Sequence, residues 1–192
     1  MKFPELATHI KNHIKVNAHE IEVFFKFLTE VSVAEKSYLI TPNTQIRHSF
    51  FVIKGCLKSY YTDNKGDKHV MQFAIENWWI SDFEAFYQNE PTKLTIEAVE
   101  PSSLLAISKE NLEALLLEAP IFERYFRILL TNAFIAQRKR VLSSLEKNTK
   151  ERYLEFCDSY PNIENRVQNY HIANYLGVSA ESLSRIRGSL KC

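Results

Sequence analysis

The chain has 192 residues, of which 45% are hydrophobic and 24% charged, and its formal net charge is +1. This composition is that of an ordinary globular protein, and it excludes a disordered, collagen-like or disulfide-rich chain. There is no run of about 18 apolar residues, and the first twenty residues are too polar for a secretory signal, so we expect a cytoplasmic protein without a membrane partner. The three cysteines, Cys56, Cys157 and Cys192, are widely spaced without a CxxC pair, which indicates ordinary thiols and no metal site.

Positive charge is concentrated near the C-terminal end. Residues 138–192 carry ten Lys and Arg against six Asp and Glu, whereas residues 1–137 carry 14 against 17. A basic end favours a nucleic-acid partner there, although a solvated surface explains the same charge.

The first part of the chain changes from helical to strand-like spacing. Residues 4–30 place apolar side chains at helical intervals, which predicts a helical lead-in. Residues 38–107 then contain short apolar runs such as SFFVIKGCLKSYYT, KHVMQFAI, KLTIEAVE and SLLAIS, separated by turn sequences. The stretch YYTDNKGDKHVMQF predicts a hairpin. Several short strands joined by turns predict an antiparallel sandwich or barrel.

Helical spacing returns after Ser108. SKENLEALLLEA predicts a short helix with Ser108 as its N-cap, and Pro120 starts a stretch that runs to about Lys147. A helix of about 26 residues would be roughly 39 Å long at 1.5 Å per residue. Its apolar stripe is covered either by the strand region or by a second copy of the chain, and we favour a dimer. The residues expected at the dimer interface are Phe122, Tyr125, Phe126, Leu129, Ala133 and Ala136.

KNTK is the predicted hinge to a small helical unit that ends in HIANYLGVSAESLSRIRGSLKC. Ala173 is small where two helices must approach each other, and Gly177 stands where a turn needs a positive φ. The apolar residues expected on the buried side are Ile172, Leu176, Val178, Leu183 and Ile186. This spacing predicts a helix-turn-helix.

The second helix of this motif is the predicted DNA-reading element. Ser179 can cap it, and Glu181 lies in the first turn, where the helix dipole favours a carboxylate. Arg185 can contact guanine and Glu181 can accept from a cytosine amino group, unless the two simply pair on the surface. The other residues expected on the outer face are Ala180, Ser184 and Gly188, and either Ser182 or Ser184 can bond to a base or a phosphate. The residues expected near phosphates are Arg166, Gln168, Asn169, His171 and Arg187.

Strands, a long helix and a C-terminal helix-turn-helix, in that order, resemble the Crp/Fnr transcription regulators over nearly the whole chain. FVIKGCLKSYYTDNKGDKHVMQFAIENWWISDFEAF is similar to the family's strand, glycine turn and effector-pocket segment, with Gly55 on the family's glycine. IANYLGVSAESLSRIRGSL matches its DNA-reading motif, with Glu181 and Arg185 on two base-reading positions. KERYLEFCDSYP and YLGVSAESLSRIR look most like the Bacteroidetes branch, which tends to end just after the recognition helix.

The resemblance implies an α+β fold of three parts. Residues 1–118 form an N-terminal antiparallel β-roll, a jelly roll of the cyclic-nucleotide-binding type, together with its helical lead-in. Residues 119–147 form a dimerisation helix, and residues 148–192 form a helix-turn-helix domain. It also implies a homodimer on a near-palindromic operator in double-stranded DNA. RNA polymerase is a candidate partner, and no enzymatic activity is expected.

The resemblance fails in the nucleotide pocket. Nucleotide-binding relatives carry Gly-Glu and then Arg-Ser or Arg-Thr, but here Ser81 and Asp82 replace Gly-Glu, and Thr92 stands near the Arg position. The nearby Lys93 is no substitute for a bidentate Arg on a buried phosphate, so cyclic AMP is not the expected effector. Either the pocket holds another small molecule or its aromatic residues simply fill the roll. The candidate pocket residues are Ser81, Asp82, Phe83, Thr92, Lys93 and Trp79, beside Trp78, Phe86 and Tyr87.

Two other functional classes stay open at this point. A metalloenzyme on a cupin-like barrel would need a cluster of His and Glu, but the strands offer His48 and His69 alone. His9 and His13 share one helical face without a third ligand. The other class is a sensing or protein-interaction module without DNA function, which the Ala180 position allows because some relatives carry another base-reading Arg there.

Overall fold

The computed structural model describes residues 2–190 and begins with two helices, α1 (Pro4–His13) and α2 (Ala18–Lys26). A capping box starts α2: Asn17 Oδ1 accepts from the Glu20 amide at 2.9 Å, and Glu20 Oε2 accepts from the Asn17 amide at 2.8 Å. The predicted helical lead-in is confirmed, but it ends earlier than expected, because residues 29–33 already form a strand that the sequence pattern did not reveal.

Two four-stranded antiparallel sheets form the roll in the described part of the chain. The strands are β1 (Thr29–Val33), β2 (Tyr38–Ile40), β3 (His48–Lys54), β4 (Leu57–Thr62), β5 (Lys68–Ala74), β6 (Trp79–Ile80), β7 (Leu94–Ala98) and β8 (Ser102–Ser108), and the short helix α3 (Phe83–Gln88) lies between β6 and β7. One sheet has the order β1-β8-β3-β6 and the other β2-β7-β4-β5. The predicted antiparallel architecture and the β4–β5 hairpin are therefore confirmed.

Gly55, in the tight turn between β3 and β4, is required by its backbone and its surroundings. Its φ is +113°, and a Cβ built there would collide with the Ser102 side chain. Its amide donates to Glu76 Oε1 at 2.9 Å. Gly55, which the resemblance aligned with the family's glycine, thus lies in a turn that a side chain would disrupt.

Five helices follow the roll: α4 (Lys109–Glu118), α5 (Ile121–Glu146), α6 (Thr149–Ser159), α7 (Asn169–Leu176) and α8 (Ala180–Leu190), with a 3₁₀ turn at Ile163–Asn165. Ser108 caps α4 by accepting from the Asn111 amide at 3.0 Å, as predicted. The long predicted helix is confirmed as α5, with 26 residues. It breaks at Lys147, and Asn148 then caps α6, so the predicted hinge sequence coincides with the break between the two helices.

The first half of α5 is part of the core of its own protomer. Phe122 and Tyr125 are 0% exposed, and the Phe122 ring meets Phe24 of α2 edge to face at 4.8 Å. The Tyr125 hydroxyl lies 2.9 Å from His9 Nδ1 and accepts from Trp79 Nε1 at 3.0 Å. The prediction that Phe122 and Tyr125 belong to a dimer interface is wrong, because the roll and the lead-in helices cover this face. Phe126 and Leu129 are also partly buried against the same core.

Candidate nucleic-acid interface

Helices α7 and α8 form the predicted helix-turn-helix. Gly177 adopts φ +67° directly after α7, and the Val178 amide donates to the Ala173 carbonyl at 3.0 Å. Ile172 and Leu183 are fully buried and Ala173 is 2% exposed, so the two helices pack where the spacing predicted. The positive φ at the glycine and the buried small residue are both confirmed.

The start of α8 is held in place by side chains. Ser179 Oγ accepts from the Ser182 amide at 3.2 Å, which confirms the predicted cap. Asn169 Nδ2 donates to the Ala180 carbonyl at 3.1 Å, while its Oδ1 accepts from Arg187 at 3.1 Å. These contacts link the beginning of α7 to two turns of α8 and orient its outer face.

The outer face of α8 presents polar side chains to solvent. Glu181, Ser184 and Arg185 are all exposed. The pKa of Glu181 is lowered by its own backbone amide and then by the Ser179 hydroxyl, with the Arg185 charge a smaller cause. Among the ion pairs of residues 2–190, none joins Glu181 to Arg185 within 4.0 Å. Both side chains are therefore available to an external partner.

Two residues predicted to contact phosphates lie instead against the roll. His171 is 8% exposed, and its Nε2 is 2.8 Å from Lys58 Nζ on β4. Arg166 donates to the carboxylates of Glu76 and Glu100. The expected phosphate contact of His171 does not fit this arrangement, because the roll covers that side of α7. Gln168, directly before α7, is exposed.

The packing of α7 against the roll changes the pKa of His171. Burial, and then the positive charge of Lys58, lower the pKa of His171 to about 4. Lys58 is itself buried, and its ammonium pairs with Glu97 Oε1 at 3.0 Å. Burial lowers the pKa of Lys58, and the bond to Glu97 opposes that shift. A neutral His171 beside the charged Lys58 is the arrangement that the lowered pKa of His171 favours at neutral pH.

Two polar residues of the candidate effector pocket, Asp82 and Thr92, are hydrogen-bonded to each other. Asp82 accepts from Thr92 Oγ1 at 2.5 Å and from the Ala85 amide at 3.3 Å, which caps α3. Thr92 is 1% exposed, whereas Lys93 is on the surface. The hydrogen-bonding groups of Asp82 and Thr92 are thus used by each other, whereas a nucleotide-binding site would need a free acceptor and a cation at these positions. Ser81 donates to the His48 carbonyl at 3.0 Å.

The aromatic residues near this segment take part in packing. Trp79 is partly buried in the core and donates to Tyr125, as described above, while Trp78 stacks on Tyr160, directly after α6, at 5.1 Å. Phe86 is fully buried and Phe83 half-buried, with Tyr87 more exposed. These contacts favour the interpretation that the aromatic residues fill the structure.

Residues considered for metal binding are engaged in other contacts. His9 Nδ1 meets Tyr125, and His13 Nδ1 lies 2.7 Å from the His9 carbonyl. His69 Nε2 lies 3.0 Å from Asp63 Oδ2. Within residues 2–190 no three His, Cys, Asp or Glu side chains converge as a metal site would require. Burial raises the pKa of the Cys56 thiol to about 12, and Cys192 lies outside the described residues.

The second half of α5 carries an apolar face that the roll leaves open. Phe134 is 68% exposed and Leu145 78% exposed. The exposed apolar side chains of this face are Leu130, Phe134, Ile135, Val141, Leu142 and Leu145, and the predicted interface residues Ala133 and Ala136 are also exposed. Leu130, Phe134, Val141 and Leu145 follow one another at intervals of four, seven and four residues, which is the signal that identifies one helical stripe. None of the described helices has the length and hydropathy needed to cross a membrane.

Comparisons with known proteins match the roll to one family and most of the chain to two bacterial regulators. Residues 30–119 match the family described as the cyclic nucleotide-binding domain. The chain is 24% identical over 188 residues to Electron transport regulator A of Shewanella oneidensis, covering 90% of this chain and 73% of that protein. It is 23% identical over 164 residues to the Fumarate and nitrate reduction regulatory protein of Vibrio cholerae, covering 78% of this chain and 64% of that protein.

Solved structures share the arrangement of roll, long helix and C-terminal helices. A CooA mutant from Carboxydothermus hydrogenoformans superposes with a TM-score of 0.70 at 18% identity, covering 95% of this chain and 83% of that chain. FixK2 from Bradyrhizobium japonicum gives a TM-score of 0.73 at 18% identity, covering 85% and 84%. At these identities the comparison establishes the fold, and any ligand or operator of this chain has to be argued from its own residues.

Proposed function

Since this chain carries a cyclic nucleotide-binding domain and is homologous to Crp/Fnr-type transcription regulators, we propose that it is a homodimeric, sequence-specific DNA-binding regulator of the cytoplasm. The observation that carries this proposal is the outer face of α8. It presents Arg185, Glu181 and Ser184 on a capped helix whose opposite side is packed against α7. A helix held in this way can enter the major groove and read base edges.

Each polar group on α8 has a defined task in this proposal. Arg185 donates two hydrogen bonds to guanine, and Glu181 accepts from a cytosine amino group. Ser184 and Ser182 bond to bases or phosphates, while the N-terminus of α8 faces the DNA backbone with Ser179 and Ala180. Arg187, tied to Asn169, and the exposed Gln168 lie at the edges of this surface and hold its register on the phosphates.

The exposed face of α5 supports a homodimer. A stripe that includes Phe134 and Leu145 would remain in water in a monomer, whereas pairing with the same stripe of a second copy would bury both. Two copies joined along α5 would carry their recognition helices roughly 34 Å apart, one turn of DNA, on a near-palindromic operator. RNA polymerase is a candidate partner of the bound dimer, and no catalytic role is proposed.

Cyclic AMP is not the proposed effector. The buried Asp82 and Thr92 are hydrogen-bonded to each other, and Lys93 is exposed, so Thr92 and Lys93 supply no buried guanidinium for a cyclic phosphate. Any effector of this chain would therefore be recognised by other groups or at another position. The assignment to the Bacteroidetes branch stays a prediction.

Selection of binding sites from random duplex DNA tests the proposal. We expect purified full-length protein to enrich a near-palindrome with half-sites one turn apart, equally with and without cyclic AMP. Affinity for the selected site should fall steeply with salt, because phosphate contacts release counterions. Arg185→Ala should lose the preference at one base pair in each half-site. No enrichment, or salt-independent binding, would favour the sensing or protein-interaction module instead.

A further inference from the structure

The C-terminal unit, residues 148–190, is docked on the outer face of the β4–β5 hairpin. Phe73 of β5 lies at the centre of the contact, with its ring 5.9 Å from Phe156, 5.9 Å from Tyr160 and 5.7 Å from Tyr175. Phe73 is fully buried, and it belongs to one continuous apolar cluster with the core of the helix-turn-helix. The unit is therefore not a separate globule on a linker, because part of its core is supplied by the roll.

Polar contacts surround this docked surface. Arg166 bonds to Glu76 through both terminal nitrogens, at 2.8 and 2.9 Å, and also pairs with Glu100. On another side, Asn174 Oδ1 accepts from the Val70 amide at 2.5 Å. The backbone of β5 thus pairs with α7 through a side-chain amide, and the orientation of α7 relative to the roll is specified in more than one direction.

Arg140 joins this contact to the long helix α5. Its guanidinium donates to the Met71 carbonyl at 2.6 Å and to the Val70 carbonyl at 3.3 Å, both on β5. The same group donates to the Tyr175 carbonyl of α7 at 3.0 Å and lies 3.9 Å from the centre of the Tyr175 ring. One side chain therefore contacts the roll and the helix-turn-helix from the helix proposed to pair two protomers.

We propose that Arg140 is a positioning residue for DNA recognition, which sets the orientation of the recognition helix relative to α5. This inference rests on the proposed function, because orientation matters only if two recognition helices must meet two half-sites. In the proposed dimer α5 joins the two protomers, so a change at the junction with α5 would alter the separation of the two recognition helices. Arg140 acts through Tyr175 and β5, and its half-buried guanidinium is committed to protein carbonyls.

The chemistry of this junction requires an arginine. Three carbonyl oxygens from two chain segments are met by one planar group with several fixed donors, and its face covers an aromatic ring. A lysine keeps the charge but offers a single ammonium without a stacking face. Arg140→Lys should therefore retain the fold and lose part of the positioning, whereas Arg140→Met should lose nearly all of it.

Trp78 reports the docking in the protein without DNA. Its ring stacks on Tyr160 of the docked unit, and a Trp79→Phe background leaves Trp78 as the one tryptophan, since the chain has two. In that background we expect Arg140→Met to shift Trp78 emission to longer wavelength and to raise its quenching by acrylamide about twofold, as local opening exposes the ring. The matched control Lys139→Met removes an exposed neighbouring cation and should leave both signals unchanged.

Half-site spacing reports the positioning itself. The experiment uses duplexes that carry two selected half-sites and whose spacing varies in steps of one base pair around one turn of DNA. We expect the affinity of the wild type and of Lys139→Met to depend strongly on this spacing. Arg140→Met should reduce that discrimination about tenfold, while its affinity for a single half-site stays at the wild-type value because the base-reading residues are unchanged. A residue needed only for folding would lower both affinities together.

Three results would overturn the role of Arg140. The first is unchanged Trp78 quenching in Arg140→Met, and the second is altered quenching with an unchanged spacing preference. The third is altered spacing without altered quenching, which would indicate direct contact with DNA. If Arg140→Met does not fold, as judged by circular dichroism, Arg140→Lys decides in its place. Absence of any operator for the wild type would refute the proposed function, while the Trp78 measurement would still decide whether Arg140 holds the two parts together.

Discussion

The two halves of α5 contain similar apolar residues in opposite environments. Phe122 and Tyr125 in the first half are fully buried within their own protomer, whereas Phe134 and Leu145 in the second half are mostly exposed. The first half is covered by the lead-in helices and the roll, whereas in the second half Arg140 contacts β5 and the apolar stripe stays exposed. The same kind of side chain therefore stabilises the protomer at one end of the helix and is available to a partner at the other.

The largest expected effect is on the buried half. Phe122→Ala should destabilise the protomer by about 3–5 kcal/mol, because it removes a buried ring and leaves a cavity against Phe24. Phe134→Ala is the matched substitution on the exposed half and should leave protomer unfolding almost unchanged. Urea unfolding at several protein concentrations separates the two, since only a dimer contribution depends on concentration. Equal losses at both positions would contradict the comparison.

A charge on the exposed half should instead break the dimer. Phe134→Glu would place two carboxylates at a paired apolar stripe, and we expect the dimer dissociation constant to rise about 100-fold, or about 2.7 kcal/mol. Sedimentation measures the dissociation constant, and circular dichroism should show an unchanged fold. Lys139→Glu, on the same stretch of helix but away from the stripe, is the control. A Phe134→Glu variant that remains dimeric would place the interface elsewhere.

Lowering the pH should destabilise two regions, the core around His9 and the docked surface around His171. Burial, and then His13, lower the pKa of His9 beside Tyr125 to about 4, and the pKa of His171 at the docked surface is also about 4. Both values lie below the ordinary pKa of about 6.5. Above pH 6.5 each histidine is neutral in the folded and the unfolded chain, and below it the unfolded chain binds the proton more readily. Stability of the core at His9 and of the docking at His171 should therefore decline as the pH falls from about 6.5 towards about 4.

Substitutions can separate these two acid effects. Trp78 quenching follows the docking at His171, which also faces Lys58, Glu97 and Lys68, while urea unfolding follows the core. In His171→Gln the quenching should lose most of its pH dependence, and unfolding should keep the part due to His9. A quenching profile that is unchanged in His171→Gln would show that another group controls the docking.

The smallest expected effects concern two matching capping boxes. Asn17 and Glu20 start α2 at the buried end, and Asn148 and Glu151 start α6 just beyond the exposed end of α5. Asn17→Ala and Asn148→Ala should each cost about 1 kcal/mol of unfolding free energy, since each removes one capping hydrogen bond. Asn148→Ala should in addition raise Trp78 quenching, because it loosens the start of the docked unit. If Asn17→Ala raised the quenching equally, the two ends would not be independent.

Local signals explain why much of the fold could be predicted. Ser108, Ser179 and Gly177 act within one or two helical turns of themselves, so a cap or a positive φ can be recognised from neighbouring residues. The strand β1 was missed because its residues, TEVSV, follow the helical lead-in directly and are mostly exposed or half-buried. Its partner residues on β8 lie 69 to 77 positions further along the chain, beyond the reach of any local pattern.

The candidate site was predictable on one face only. The exposed positions of α8 follow from the helical period once Leu183 and Ile186 are assigned to the inside, and for this reason the period predicts that Glu181 and Arg185 are exposed, as the structure has them. The covered side of α7 did not follow from it, since His171 is buried by Lys58, a residue 113 positions away. For the same reason the contacts of Arg140 and Arg166 carried no signal in the sequence.

By itself, the sequence determined the succession of helical lead-in, strand region and C-terminal helices, the caps at Ser108 and Ser179, the turn at Gly177, and the residues on the outer face of α8. These features depend on backbone preference and on side-chain period, both of which act over a few residues. Only the tertiary structure decided which face of α5 stays exposed, that Asp82 and Thr92 hydrogen-bond to each other, and how Arg140 joins the roll to the helix-turn-helix. Those arrangements depend on contacts between distant segments, where a side chain is buried or exposed according to what packs against it.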